Sequence, residues 1–163
     1  EKVCLLSPVV TTSKEEVDSV AVISFDRPII FSPDPLNEIV IQKEGSVVWR
    51  ELASSEKKIT GPIQWPIESI QPDKKYEIRF RSQNALAREY AKIQLEIDSS
   101  KPFVSLDSLI ENLGDNKSKW ISVVDEKLEA NKQLGLALLF SKKAPEIESF
   151  KKLKTYIEVI PGC

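Results

Sequence analysis

The clearest pattern in the chain is a period of two in the segment YEIRFRS, which spans residues 76–82. Apolar side chains alternate there with charged ones, so the segment predicts a β-strand with one buried face and one polar face. A Pro-Asp-Lys-Lys turn signal at residues 72–75 comes directly before this strand. Trp65 and Ile70 lie upstream of the turn and supply apolar bulk for a core beside it.

Short apolar segments predict six further strands in the first 98 residues. They are rich in β-branched residues, and turn signals separate them at intervals of roughly 8–12 residues. This spacing is typical of a sandwich of two antiparallel sheets. The segments are residues 3–10, 20–25, 29–31, 38–42, 47–49 and 90–97.

The pattern becomes helical after the segment DSSKP at residues 98–102. Apolar residues at positions 106, 109, 110 and 113 have the spacing of one helix face. Ser105 is the expected N-cap of this first helix, and Gly114 is its expected C-terminal stop.

Two more helices are predicted. The second starts near Asn116 or Ser118 and carries an apolar stripe from Trp120 onward, which we expect to bind the helices to the sheet. Gly135 argues against one continuous helix in this region. Pro145 is expected at the first position of the third helix.

Tyr76 opens a strand after a proline-containing turn, and this arrangement resembles the tyrosine corner of Greek-key sandwiches, where the phenol hydroxyl bonds to the corner backbone. Together with the strand spacing, this corner makes the first 98 residues, about 60% of the chain, similar to fibronectin type III and immunoglobulin-like domains. The resemblance implies an immunoglobulin-like antiparallel β-sandwich at residues 1–98. The helical pattern adds a small three-helix extension packed on it at 103–163, so we expect an α+β chain. The early-strand tryptophan and the inter-sheet cysteine pair of these families are missing.

Composition narrows the chemistry that this chain can perform. Its formal net charge of −2 gives no general attraction for nucleic acid, and no apolar run has the length of a membrane span. The absence of histidine excludes Ser-His-Asp and Cys-His catalysis and the usual zinc sites. The five glycines form no phosphate-binding loop. We therefore expect no catalytic residue, no metal ion and no cofactor.

Carboxylates are the remaining candidates for catalysis. Glu15, Glu16 and Asp18 are close in one predicted loop, and Asp34 and Glu38 are close in another. A pair of acids in a cleft would suit a carbohydrate-active hydrolase. Solvated acidic loops are the simpler interpretation, and we favour it.

Binding residues are suggested by one tryptophan and one run of lysines. Trp49 would contact a sugar or a protein if it is exposed, although a core position is the favoured interpretation. Lys151, Lys152 and Lys154 form the basic run of the third predicted helix. A solvated outer face explains them, and a weak site for an acidic partner is the alternative.

Cys4 and Cys163 lie almost at the two ends of the sequence. Chain ends often meet, so a disulfide between them is one interpretation, and two unpaired thiols are the other. The absence of methionine and the start at Glu1 fit a processed chain and a fragment equally well. A disulfide would favour a location outside the cytoplasm, whereas free thiols would favour the cytoplasm.

These observations predict a non-enzymatic binding or scaffolding module that meets a protein partner through a sheet edge or the helical face. Bacterial cell-envelope accessory proteins are similar in arrangement, so we expect a periplasmic or secreted protein. A small ligand or sugar is a further possibility, and nucleic acid is not expected. The alternatives are a carboxylate-based hydrolase and an intracellular regulatory domain of a longer protein.

Overall fold

One sheet and four helices make up the computed structural model, which describes residues 5–12, 19–86 and 88–159. The chain is therefore mixed α+β within those ranges. The strands are β1 Val10–Thr12, β2 Ser19–Ile23, β3 Leu36–Lys43, β4 Ser46–Leu52, β5 Tyr76–Ser82 and β6 Ala91–Ile97. The helices are α1 Leu106–Leu113, α2 Lys117–Ala130, α3 Lys132–Leu139 and α4 Glu148–Glu158.

The strands lie in the order β1-β2-β6-β5-β3-β4. Neighbours are antiparallel except β2 and β6, which run parallel with Ser19 opposite Ile93. The prediction of a sheet followed by helices is confirmed, but the prediction of a wholly antiparallel sheet is wrong at this pair. No hairpin connects β2 with β6, so no tight turn dictates their relative direction.

The hairpin between β3 and β4 follows from its loop residues. Glu44 and Gly45 have φ values of 50° and 80°, which suit a two-residue loop of type I′. The register shifts between Ile41 and Gln42, so β4 contains one extra residue there. The turn expected between the predicted strands 38–42 and 47–49 is therefore confirmed.

Two predicted strands are shorter than the sequence suggests. Residues 29–31 form only isolated bridges, which pair Ile30 with Ile63 and Phe31 with Ser7. In the predicted strand at 3–10, the described residues 5–9 form only that bridge, and β1 begins at Val10. Prolines next to both segments lack the N–H group that a longer ladder requires.

Tyr76 forms the predicted corner. Its side chain is buried, and its hydroxyl oxygen accepts a hydrogen bond from the backbone N–H of Gln71 at 3.1 Å. The ring of Trp65 meets it edge-on, with ring centroids 6.1 Å apart. The indole N–H of Trp65 donates to the carbonyl oxygen of Glu68 at 2.9 Å, so this buried tryptophan has a partner. Both predictions, the phenol bond and a core Trp65, are confirmed.

Buried apolar residues form two clusters. One lies on the inner face of the sheet and includes Ile39, Ile78 and Phe80. The other surrounds Trp120, whose indole N–H donates to the carbonyl oxygen of Gly114 at 2.8 Å. This second cluster joins helix residues to side chains that come before β3, namely Phe25, Ile29 and Phe31.

Asp26 connects the sheet with the first helix. Its carboxylate accepts a hydrogen bond from the N–H of Leu106 at 2.9 Å, and this group opens α1. Its own N–H donates to the carbonyl oxygen of Val104, and its carbonyl oxygen accepts from Ile70. Asp26 therefore places a buried side-chain oxygen at the N-terminus of α1, where the helix dipole favours an acceptor.

The helix boundaries confirm the first helix and the start of the second, whose N-cap is Asn116, and they correct the rest. Ser105 caps α1, and Gly114 ends it with a φ of 54°. Asn131 separates α2 from α3, caps α3 and donates to the hydroxyl of Ser24 at 2.9 Å. The chain therefore has four helices in the described ranges, and the three-helix prediction is wrong.

The last helix also starts later than predicted. Ile147 is the N-cap of α4, so Pro145 lies before the helix and not at its first position. A turn in which Ala144 donates to the carbonyl oxygen of Ser141 occupies the segment before the cap. Because this turn precedes the N-cap, Pro145 lies outside the helix, and α4 begins at Glu148.

Gly135 permits α3 to pack closely against α2. A Cβ atom at this position would lie 2.7 Å from the backbone nitrogen of Leu128 and 2.9 Å from its Cα atom. Backbone atoms cannot move aside as the end of a flexible side chain can. The glycine is therefore required by a close contact, not by the helix break that ends α2 at Asn131.

Gly135→Ala is expected to lower the free energy of unfolding by about 1–3 kcal/mol, because the gain in helix propensity is smaller than the cost of overpacking. Urea denaturation measures the change. Ser122→Ala on the exposed side of α2 is the control and should change stability by only a few tenths of a kcal/mol. An unchanged or raised stability of Gly135→Ala would contradict the close packing of the two helices.

Tyr76→Phe retains the ring and removes the hydroxyl that accepts from Gln71. We expect a loss of about 1 kcal/mol in unfolding free energy, the usual net value of one hydrogen bond. Tyr156→Phe, at an exposed tyrosine of α4, is the matched control in the same urea experiment. Equal stability of the two variants would show that the corner bond has no energetic role.

Candidate functional site

The outer face of the sheet carries a buried acid. Alternation along β3 points Glu38 away from the core side occupied by Ile39. The strand register places Glu38 opposite Arg81 of β5, and Arg50 lies on the neighbouring strand β4. Glu38 is only 2% exposed, although it is on the face away from the apolar core.

Both carboxylate oxygens of Glu38 are occupied. Oε1 accepts from Nε of Arg50 at 2.7 Å. Oε2 accepts from the hydroxyl of Tyr90 at 2.8 Å and from Nη2 of Arg81 at 3.1 Å. We call these four residues the Glu38 cluster. It joins β3, β4, β5 and the residue that precedes β6.

Opposing effects set the protonation of Glu38. Burial raises the pKa of Glu38. Hydrogen bonds from Tyr90, Arg50 and Arg81 and the charge of Arg50 together lower it by more than burial raises it, so the pKa lies below the usual 4.5. The carboxylate is therefore ionised at neutral pH and has no proton to donate as a general acid. The solvated-loop interpretation is wrong for Glu38 because its partners replace water, whereas Asp34 is exposed as expected.

An open cavity of about 710 Å³ lies beside this cluster, where β5 passes into β6. We call it the β5–β6 cleft. Tyr90 belongs to both features, since its hydroxyl bonds Glu38 and its side chain lines the cleft. The cleft is lined by Arg79, Phe80, Ser82, Ala85, Arg88, Glu89, Tyr90, Ala91 and Lys92.

Strand β4 forms one edge of the sheet and is exposed along most of its length. Val47, Val48 and Leu52 are 58%, 44% and 55% exposed. No backbone segment in the described ranges pairs with the outer side of this strand. We call residues 46–52 with this free side the β4 edge.

The predicted binding residues lie in separate places. Trp49 is half-buried and packs against the apolar cluster of the sheet, so it is neither fully exposed nor fully in the core. Lys151 and Lys152 are on the exposed side of α4. Lys154 is half-buried with Nζ 5.8 Å from the ring centroid of Phe140, because it follows the buried face of the helix.

Other predicted sites fall outside the described ranges. Cys4 and Cys163 lie there, so the disulfide stays a prediction. Glu15, Glu16 and Asp18 lie there as well. Among the described residues, no three His, Cys, Asp or Glu side chains come close enough together to hold a metal ion.

Sequence reasoning missed the Glu38 cluster and the cleft. Alternation in 76–82 did place Arg81 on the polar face, but it carried no information on which strand lies beside it. The pairing of Glu38 with Arg81 depends on β3 being the neighbour of β5, and these strands are separated by a long connection. The grouping of Arg50, Arg81 and Tyr90 around Glu38 can be predicted only when that strand order is known.

No family model, curated protein or solved structure matches this chain. None of the helices in the described ranges combines the length and the apolar character needed to cross a bilayer.

Glu38→Gln removes the negative charge and leaves Arg81, whose side chain is mostly buried, without its anion. We expect a loss of about 1–3 kcal/mol in unfolding free energy at pH 7. Because the folded pKa of Glu38 is lowered, its contribution is complete above the usual value of 4.5 and is lost as the pH falls below it. The difference between the wild-type protein and Glu38→Gln should therefore narrow toward pH 3.

Urea unfolding at a series of pH values measures this difference. Glu96→Gln, at an exposed glutamate of β6, is the control and should differ little from the wild-type protein at every pH. A gap for Glu38→Gln that stays constant or widens as the pH falls would contradict the assignment.

Proposed function

We propose that this chain is a non-enzymatic binding or scaffolding module that holds a protein partner on the β4 edge. The observation that supports this proposal is a seven-residue edge strand with three exposed apolar side chains and a free backbone. Exposed, regular edge strands pair readily with other chains, and proteins normally protect them. A long edge strand with exposed apolar side chains is thus a candidate recognition surface.

The two edges of the sheet differ in this respect. The opposite edge, β1, has only three residues. Just before it, the N–H of Val9 donates to the side chain of Gln133 at 2.9 Å, so the approach to this edge is partly covered. Short length and coverage are two usual protections of an edge, and β4 has neither.

The hydrogen-bond ladder identifies the free groups of the β4 edge. The N–H of Ala53 donates to the carbonyl oxygen of Asn37, so residue 53 faces β3. Because antiparallel ladders alternate, the backbone groups of Arg50 and Leu52 face away from β3. These groups would accept an added strand.

Side chains next to these groups favour an extended partner segment that is apolar and carries an acid. The register places Val47, Arg50 and Leu52 on the outer face of the sheet. Two of them are apolar and exposed, and the guanidinium of Arg50 is about half exposed beside them. A strand with apolar side chains opposite Val47 and Leu52 and a carboxylate near Arg50 matches this surface.

Anchors on both faces hold this edge in place before a partner arrives. Trp49 packs inward against the sheet cluster, and Arg50 is held by Glu38 on the outer face. Less backbone and side-chain freedom is then lost on binding, which favours affinity.

An immunoglobulin-like sandwich is the finer fold that we propose for this module. The antiparallel series β6-β5-β3-β4 and the Tyr76 corner support it, as do the bridges of Ile30 and Phe31 outside the sheet. The parallel pair of β2 and β6 is unusual for such a fold. We also propose that the chain has two parts, a sandwich at residues 1–98 and a helical extension at 103–163. A location outside the cytoplasm, in a bacterial cell envelope, remains part of the proposal.

Site-specific photo-crosslinking tests the proposal in the native source. A crosslinking residue at position 47 or 52 should capture a protein, whereas one at position 159, which is 72% exposed on the end of α4, should not capture the same protein. With the captured partner purified, Leu52→Lys should weaken its binding about tenfold or more, because it places an unpaired charge in the contact.

Hydrogen exchange in the purified complex decides the mode of binding. The amides of Arg50 and Leu52 should exchange more slowly with the partner bound, and Val159→Lys should bind as the wild-type chain does. Unprotected amides at these two positions would overturn strand addition. A crosslink between two copies of this chain would replace the proposed partner with self-association.

A further inference from the structure

Two like charges stand directly opposite each other on β5 and β6. Arg79 pairs with Lys92 across the antiparallel ladder, and both side chains line the β5–β6 cleft. Like charges in this position repel and destabilise a sheet unless something lies between them. An anion bound beside the pair would reduce this repulsion.

A third cation lines the same cleft. Arg88 joins Arg79 and Lys92, and Glu89 is the one acid in the lining. The carboxylate of Glu89 accepts from the N–H of Leu86 at 3.3 Å and makes no ion pair with these three cations. This gives the cleft a positive excess in a chain whose net charge is −2.

The neighbouring acids are already engaged. Glu77 accepts from Nε of Arg79 at 2.9 Å, and Nη2 of Arg79 donates to the side-chain oxygen of Gln42 at 3.5 Å, so the position of that guanidinium is fixed. Glu38 is surrounded by its own donors. In the described part of the chain, Arg88 and Lys92 make no ion pair at all.

We propose that the β5–β6 cleft binds a divalent oxyanion of the phosphate type. Two guanidinium groups and one ammonium group present many donors, and guanidinium forks match the geometry of phosphate oxygens. The volume of about 710 Å³ leaves room for an organic group attached to the phosphate. Tyr90, held by Glu38, provides a fixed wall on which that group can rest.

The charge of the site distinguishes phosphate from a carboxylate. Arg79 is already paired with Glu77, so a single carboxylate would neutralise only one of the two remaining cations, Arg88 and Lys92. A phosphate monoester carries about −1.5 to −2 charges at neutral pH and matches both. This binding does not depend on the β4 edge, since different residues form the two surfaces.

Titration followed by NMR tests the proposal with inorganic phosphate at constant ionic strength. Amide signals of Arg79 and Lys92 should shift in a saturable way, with a dissociation constant in the millimolar range. Lys92→Gln and Arg88→Gln should each weaken binding about fivefold, which corresponds to an exposed charge contact of roughly 1 kcal/mol. Both positions are exposed, so the folded spectrum should persist. Lys117→Gln, at an exposed lysine of α2, is the matched control and should bind as the wild-type chain does.

Two further probes identify the source of the anion. Glycerol phosphate that binds more tightly than inorganic phosphate would indicate a phosphomonoester ligand, and the reverse order would indicate the free anion; both results support the site. Acetate that binds as tightly as phosphate would overturn the divalent class. The absence of saturable shifts, or equal affinity in Lys92→Gln and Lys117→Gln, would overturn the site itself.

Discussion

One buried carboxylate organises the outer face of the sheet. Glu38 accepts hydrogen bonds from Arg50, Arg81 and Tyr90, which come from β4, from β5 and from the approach to β6. Taking this charge out of water is costly, and the three donor residues offset the cost only while their strands keep their register. The position of the β4 edge and the wall of the β5–β6 cleft therefore depend on the same ion.

Local sequence patterns predicted those elements whose neighbours are close in the chain. The strand that starts at Tyr76, the hairpin at Glu44 and the helix between Ser105 and Gly114 depend on alternation, turn residues and caps. The bond from the Tyr76 hydroxyl to the corner backbone is local too, because it spans only a turn. Each of these features is confirmed by the structure.

Features that depend on long-range packing were not predictable in this way. The parallel contact of β2 with β6 and the partners of Glu38 require the strand order, which one sequence does not contain. Gly135 illustrates the same limit. A glycine within a helical pattern suggested a break in the helix, but the structure shows that a glycine is needed here because the backbone of Leu128 lies too close for a side chain. The break itself is at Asn131, whose side chain bonds Ser24 in the distant N-terminal half.

The parallel pair of β2 and β6 has a consequence for how this protein is made. Ser19 is synthesised before its partner Ile93, and the strands between them in the sequence are made in the interval. A nascent chain must therefore leave the β6-facing side of β2 unpaired while the intervening segments form, even where β1 pairs with its other side, and closing so large a loop is slow. The exposed side of β2 can be covered only after residues 91–97 have been synthesised. We therefore expect a chaperone to bind the nascent chain chiefly before that point.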